Sequence, residues 1–169
     1  MQSYKDLNID YQGGDLHINS RSLNSLEGLP EHITGNLLCI GNKLTSLVGG
    51  PQIVDGQYNC SWNNLTSLVG CASHIGDSLN LFDNPITSLV GIHKIIKNCN
   101  TIYFNFDNIK EGGIGLLMIA NLTDIYGSST DTVWPPFNII KKYIGTGTKG
   151  MMECSKELIA KGFENYAKL

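Results

Sequence analysis

The sequence predicts an α/β repeat protein in which short parallel strands recur every 21 residues and helices close the C-terminal end. Three observations predict it. Windows opening at Gly14, Gly35, Gly56 and Asp77 align without a gap, and a fifth at Asn98 starts well and then decays. An asparagine returns at one place in the successive windows. After Gly112 the pattern yields to apolar segments with helical spacing. A fixed period of this length marks units that bury their apolar sides only by stacking on one another.

Residues 1–13 precede the first window and read as an N-terminal cap. Each window then opens on a strand. One column holds Leu16, Leu37, Tyr58, Leu79 and Asn100, and two residues on stand Ile18, Cys39, Cys60, Leu81 and Ile102. Alternation of this kind is a strand with one buried face. Next come Asn42, Asn63, Asn84 and Asn105, with Arg21 in the first window. Asparagines inside stacked turns can hydrogen-bond the backbone where the strand ends, as a buried amide requires. Leu23, Leu44, Leu65 and Ile86 follow, then Leu26, Leu47, Leu68 and Leu89, then Gly28, Gly49, Gly70 and Gly91. Ile33, Val54, Ile75 and Ile96 come late in each turn. Asp107 and Lys110 replace two leucines in the fifth window, so the regular array is expected to span 14–112 in about five turns.

Residues 113–169 read as a helical C-terminal cap over the open apolar end. "GIGLLMIANLTDIY" (113–126) is apolar enough for a covering helix, and "GSSTDTVWPP" reads as a loop. "PFNIIKKYIG" has helical spacing at Phe137, Ile140 and Ile144. "GTGTKG" breaks it. The last segment reads as an amphipathic helix with Met152, Leu158, Ile159 and Phe163 near one face.

The segments "LLCIGNKL", "YNCSWNNL" and "LNLFDNPI" resemble the L-x-L-x-x-N-x-L core of the leucine-rich repeat. The "N-x-L-T-S-L-x-G" spacing is similar to a group of short leucine-rich-repeat proteins encoded by bacteriophages, and the tail "ECSKELIAKGFENYAKL" resembles theirs more weakly. The repeat resemblance covers about 14–112. It implies a curved solenoid with strands on the concave face and assigns no activity.

The repeat register places side chains between the inward columns on the outer face of the strands. Reading across gives His17, Leu38, Asn59, Asn80 and Thr101, then Asn19, Ile40, Ser61, Phe82 and Tyr103, then Ser20, Gly41, Trp62, Asp83 and Phe104. The candidate partner-binding residues are therefore Leu38, Ile40, Asn59, Trp62, Asn80, Phe82, Asp83, Tyr103 and Phe104, with Phe106 a possible extension. Aromatic side chains among polar ones suit the anchoring points of a protein interface. Against this, the C-terminal helices can fold over Tyr103, Phe104 and Phe106.

Composition narrows the functions. The net charge is −3 and the 169 residues include a single arginine, Arg21. Phosphate backbones are bound by clustered Arg and Lys, so nucleic acid is not an expected partner. No apolar run approaches the ~20 residues of a membrane span, and the N-terminus lacks the pattern of a signal peptide. Five cysteines without a C-x-x-C pair fit reduced thiols in a cytoplasm. Cys39 and Cys60 read as small buried hydrophobes. "GTGTKG" lacks the spacing of a phosphate loop, and His32 and His74 share a column two repeats apart, about 10 Å, too far to share one zinc. No G-x-S-x-G elbow or acid–base set appears, so no enzyme, cofactor or metal is expected.

The leading expectation is a non-enzymatic protein-protein interaction module in the cytoplasm. The bacteriophage resemblance implies a host bacterial protein as partner, in host takeover or as an anti-defence inhibitor. The alternatives are a binder of a small nucleotide-like ligand and a structural or assembly protein of a virion.

Overall fold

Six strands of two or three residues lie side by side in one sheet, in chain order: Leu16–His17, Leu37–Leu38, Tyr58–Asn59, Ser78–Asn80, Thr101–Tyr103 and Asp124–Tyr126. The structure, a computed structural model, describes residues 2–127 and 135–169. Strands His32–Ile33, Ile53–Val54 and His74–Ile75 form a second sheet, and Ser88–Leu89 pairs with Glu111–Gly112. Every pairing between these strands is parallel. The chain is thus an α/β structure of short parallel strands with few helices. No helix among the described residues is long and apolar enough to cross a membrane.

Strands this short persist because their inward side chains stack. Leu37, Tyr58, Leu79 and Ile102 lie opposite one another and are fully buried. Leu23, Leu44 and Leu65 are buried likewise in their own column. The asparagines hold the ends of the strands. The Asn63 amide donates to the carbonyls of Cys39, Cys60 and Ser61, and its Oδ1 accepts the Leu44 N–H at 3.0 Å. Asn42 and Asn84 repeat the arrangement one turn to either side. Each amide serves backbone groups of its own turn and of the preceding one, and so joins them. At the next corner Gly70 has φ +85°, and a Cβ there would collide with the Val48 backbone nitrogen. The "LVGG" and "LVGC" corners therefore stack at a separation that only glycine permits.

The later repeats correct the expected register. The step is 21 residues from Leu16 to Leu37, to Tyr58 and to Leu79, but 23 from Leu79 to Ile102 and again to Ile125. The first longer repeat contains α1 (Ile92–Ile95), a single helical turn where the earlier repeats run extended. As a result Ile102, not Asn100, continues the column of Leu79. Asn105 falls outside the buried ladder, and its Oδ1 instead accepts the Asp83 N–H at 2.7 Å. Ile109 fills the place expected of Asp107, buried in line with Ile86. The array does not close at Gly112: Asp124–Tyr126 adds a sixth strand. Residues 113–126, expected to be a helix, form a short 3-10 turn at Ile114–Met118 and then that strand.

Both ends are covered. At the first repeat, Tyr4 is buried within a 3-10 turn at Tyr4–Leu7, and Ser3 bridges to Ser25. At the other end α2 (Pro135–Lys142) and α3 (Gly147–Ala160) pack against the last repeats. Pro135 and Pro136 open α2 rather than ending a loop, since the first turn of a helix needs no N–H from them. The rest of the expected "GSSTDTVWPP" loop, 128–134, lies outside the described residues. Helix α3 begins inside "GTGTKG", at Gly147. It buries Cys154 and Leu158, while Met152 and Ile159, expected beside Leu158, are exposed.

Candidate binding face

The outer face of the six-stranded sheet follows from the observed register. Leu38, Asn59, Asn80, Tyr103 and Tyr126 lie in one row across it. Leu38, Ile40, Asn59, Asn80, Phe82 and Tyr103 are half-buried, and Asp83 is exposed. Ser61, expected to point outward, is buried between the larger Ile40 and Phe82 of its row, with its hydroxyl 2.7 Å from Asn59 Oδ1. Asn80 Oδ1 accepts the Phe82 N–H at 3.0 Å. These asparagines spend their oxygens on their own backbone and leave their amide N–H groups toward the face.

Trp62 is the prominent feature. It is 66% exposed and has φ +57°. Ser20, Gly41 and Asp83, at the same place in neighbouring repeats, also have positive φ. Every one of these turns leaves its strand through the left-handed region, where glycine fits freely and a bulky L-residue is strained. Gly41 shows that glycine is compatible with the turn. Trp62 thus combines backbone strain with a large apolar surface left in water.

The aromatic side chains do not form one continuous patch. Phe82 and Tyr103 are in tilted contact at 6.0 Å between centroids, and Tyr103 stacks on Tyr126 at 5.2 Å. Lys141 of α2 reaches over Tyr126, 4.6 Å from the ring centroid, and pairs with Asp124 at 2.7 Å. Burial pushes the Asp124 carboxyl upward, but hydrogen bonds from Lys141, Tyr126 and the Ile125 N–H outweigh it and hold the group below its usual range. The hydrogen bond to Asp124 raises Tyr126. Tyr126 was not among the residues expected here, because its segment reads as helix; the 23-residue step from Tyr103 is the signal that places it.

Phe104 is a correction. It is 2% exposed and faces inward, in line with Cys39, Cys60 and Leu81. The two-residue lengthening of its repeat moves it from the turn after the strand, expected in line with Trp62 and Asp83, to the inward strand position of Leu81. Phe106 is buried with it. Both pack on Phe137 of α2, Phe104 edge-on at 5.2 Å and Phe106 stacked at 4.6 Å.

All five cysteines are buried free thiols. Burial pushes Cys99 up to about 11 and Cys154 up to about 12, far from the thiolate a nucleophile requires. His32 and His74 flank Ile53 in the three-stranded sheet, and His32 Nε2 lies 2.9 Å from Asp55 Oδ1. Among the described residues, no three His, Cys, Asp or Glu side chains converge as metal ligands would.

No protein-family model, curated protein or solved structure matches the chain.

Proposed function

We propose that the chain is a leucine-rich-repeat-type solenoid with a helical C-terminal cap, and that it works as a non-enzymatic protein-binding module. Its partner is a protein of a bacterial host, held in the host cytoplasm by the strand face that carries Trp62. The resemblance to bacteriophage proteins makes inhibition of an antiviral defence or another host-takeover target the corresponding role.

Stacked parallel strands, the asparagine ladder and the glycine corners support the solenoid reading. One observation carries the binding reading: Trp62 is strained in its backbone and exposed in its side chain, at a turn where glycine is accommodated. A left-handed L-residue costs roughly 1–2 kcal/mol. Neither feature improves folding, whereas a rigid, preset tryptophan is a strong anchor for a partner surface. Phe82, Tyr103 and the amides of Asn59 and Asn80 extend the contact.

The test is affinity capture from bacterial lysate with wild type, Trp62→Gly and Phe82→Ala, read by mass spectrometry. A host protein held by wild type and lost with Trp62→Gly, with no fall in melting temperature, is the expected result. Retention of that protein by both variants places the contact elsewhere.

A further inference from the structure

A graded line of charge runs along the edge where the strands turn out of the six-stranded sheet. The first repeat presents Arg21, the second Lys43, the third Trp62, the fourth Asp83 and the fifth Asp107, all exposed. The two ends of the line are therefore basic and acidic, with the tryptophan between them. Among the described residues, none of the four charged side chains has an ion-pair or hydrogen-bond partner. Ion pairs elsewhere include Lys5–Glu27, Lys142–Glu157 and Lys168–Glu111.

The positions have a symmetry. Arg21 and Asp107 stand at opposite ends of the asparagine column, whose middle member is Asn63. Lys43 comes one residue after that column and Asp83 one residue before it. A two-fold axis through Asn63, normal to this edge, exchanges the first repeat with the fifth and the second with the fourth, and reverses the strand direction. It brings Arg21 opposite Asp107 of a second copy, and Lys43 opposite Asp83 of that copy. Neighbouring repeats are about 4.8 Å apart, so all four pairs lie within about 10 Å of the axis. Trp62 sits beside the axis and is covered.

We propose that this edge is an isologous contact between two copies of this chain, in which four ion pairs surround two buried Trp62 side chains. A second copy carries the complementary pattern, basic to acidic, at the same spacing and in the required opposite direction. The proposal rests on reading Trp62 as the mark of a docking surface. It adds that the dimer occludes that surface, so that a host partner and the second copy compete for it.

The test is the solution mass of the full chain by sedimentation equilibrium, from about 1 µM to about 1 mM, the span of a weak homodimer. Wild type is expected to rise to twice its 18.5 kDa mass, and to dissociate at least tenfold more readily in high salt, which screens exposed pairs. Arg21→Glu/Lys43→Glu and Asp83→Lys/Asp107→Lys should each remain monomeric, the first with four acids on the edge and the second with four bases. An equimolar mixture of the two should recover the doubled mass. The salt response of wild type gives a reading that does not depend on how either variant folds. A wild type that stays monomeric throughout, a dimer that survives both reversals, or a mixture that stays monomeric overturns the proposal. Failure of the lysate capture with bait held at a concentration where it is a single copy would remove the host-partner reading, and a doubled mass at higher concentration would still leave the dimer. A constant single mass removes the dimer whatever the lysate shows.

Discussion

Phe104 stands edge-on to Phe137 across the junction between the repeats and the cap, 5.2 Å between ring centroids. Phe104 belongs to the fifth repeat and Phe137 to α2, so this contact joins the two parts of the chain directly. Tyr166 extends the cluster from the far side of Phe137 at 5.9 Å. Phe104→Ala empties a fully enclosed site and is expected to cost about 3–5 kcal/mol. Calorimetric unfolding measures the loss, and hydrogen exchange should show α2 deprotected first. A loss under about 1 kcal/mol would mean that the cap does not depend on this ring.

Asn63→Ala tests the ladder. The change strands the Leu44 N–H in the interior, while the Cys39, Cys60 and Ser61 carbonyls keep donors in Asn42, Asn84 and the Gly41 N–H. An unsatisfied buried group costs roughly 1–3 kcal/mol, so a loss of about 1–3 kcal/mol is expected in urea unfolding. Asn64→Ala, at the exposed neighbour, should change stability by less than about 0.5 kcal/mol.

Gly70 and Gly91 separate two costs. Both have positive φ, but only at Gly70 would a Cβ meet the backbone of the preceding repeat; at Gly91 nothing lies within 4 Å. Gly91→Ala should cost about 1 kcal/mol, the left-handed penalty alone. Gly70→Ala should cost at least about 1 kcal/mol more, as stacked repeats move apart. Equal losses in thermal melts would show that the corners are not held at close contact.

Trp62→Gly is expected to leave thermal stability unchanged or to raise it by up to about 1 kcal/mol, since glycine relieves the left-handed strain and little buried contact is lost. The same variant is the one expected to lose its partner. A clear fall in stability would mean that the ring serves packing, not binding.

Acid should loosen both ends of the chain, since hydrogen bonds from Ser3 and Asn36 also hold Asp6 and Asp15 below their ordinary range. Hydrogen bonds from Lys142 and Tyr143 hold Glu157 below its ordinary range, and Lys168 and Ser88 do the same for Glu111. Asp124 is lowered as well. A carboxyl whose folded value is depressed contributes its full stabilisation above its unfolded value. That contribution is lost as pH falls through the folded value. The melting temperature is therefore expected to hold down to about pH 4.5 and to decline below it. Glu157→Gln should flatten part of that decline.

The first four repeats are legible in the residue order alone. From Leu16 to Leu79 each inward column recurs at one constant step, and stacked backbones demand that side chains of like size and polarity meet at each level. The buried asparagines Asn42, Asn63 and Asn84 and the glycine corners follow for the same reason, since each serves a backbone geometry that the repeat reproduces. Trp62 is placed correctly at the exposed turn because it belongs to this constant part.

Only the tertiary structure decided the remainder. A two-residue lengthening between Leu79 and Ile102 leaves the composition almost untouched, yet it shifts every later side chain along the strand. Thus Phe104 and Ile109 turn inward, Asn105 leaves the ladder, and Tyr103 takes a different row of the face. Residues 113–126 are apolar enough for either helix or strand. Their choice was made by the free edge of Thr101–Tyr103, whose backbone groups could be satisfied by a sixth strand and not by a covering helix. Local pattern determined which side chains are buried in a repeating unit; where the unit changes length, hydrogen bonding between distant segments determined the register.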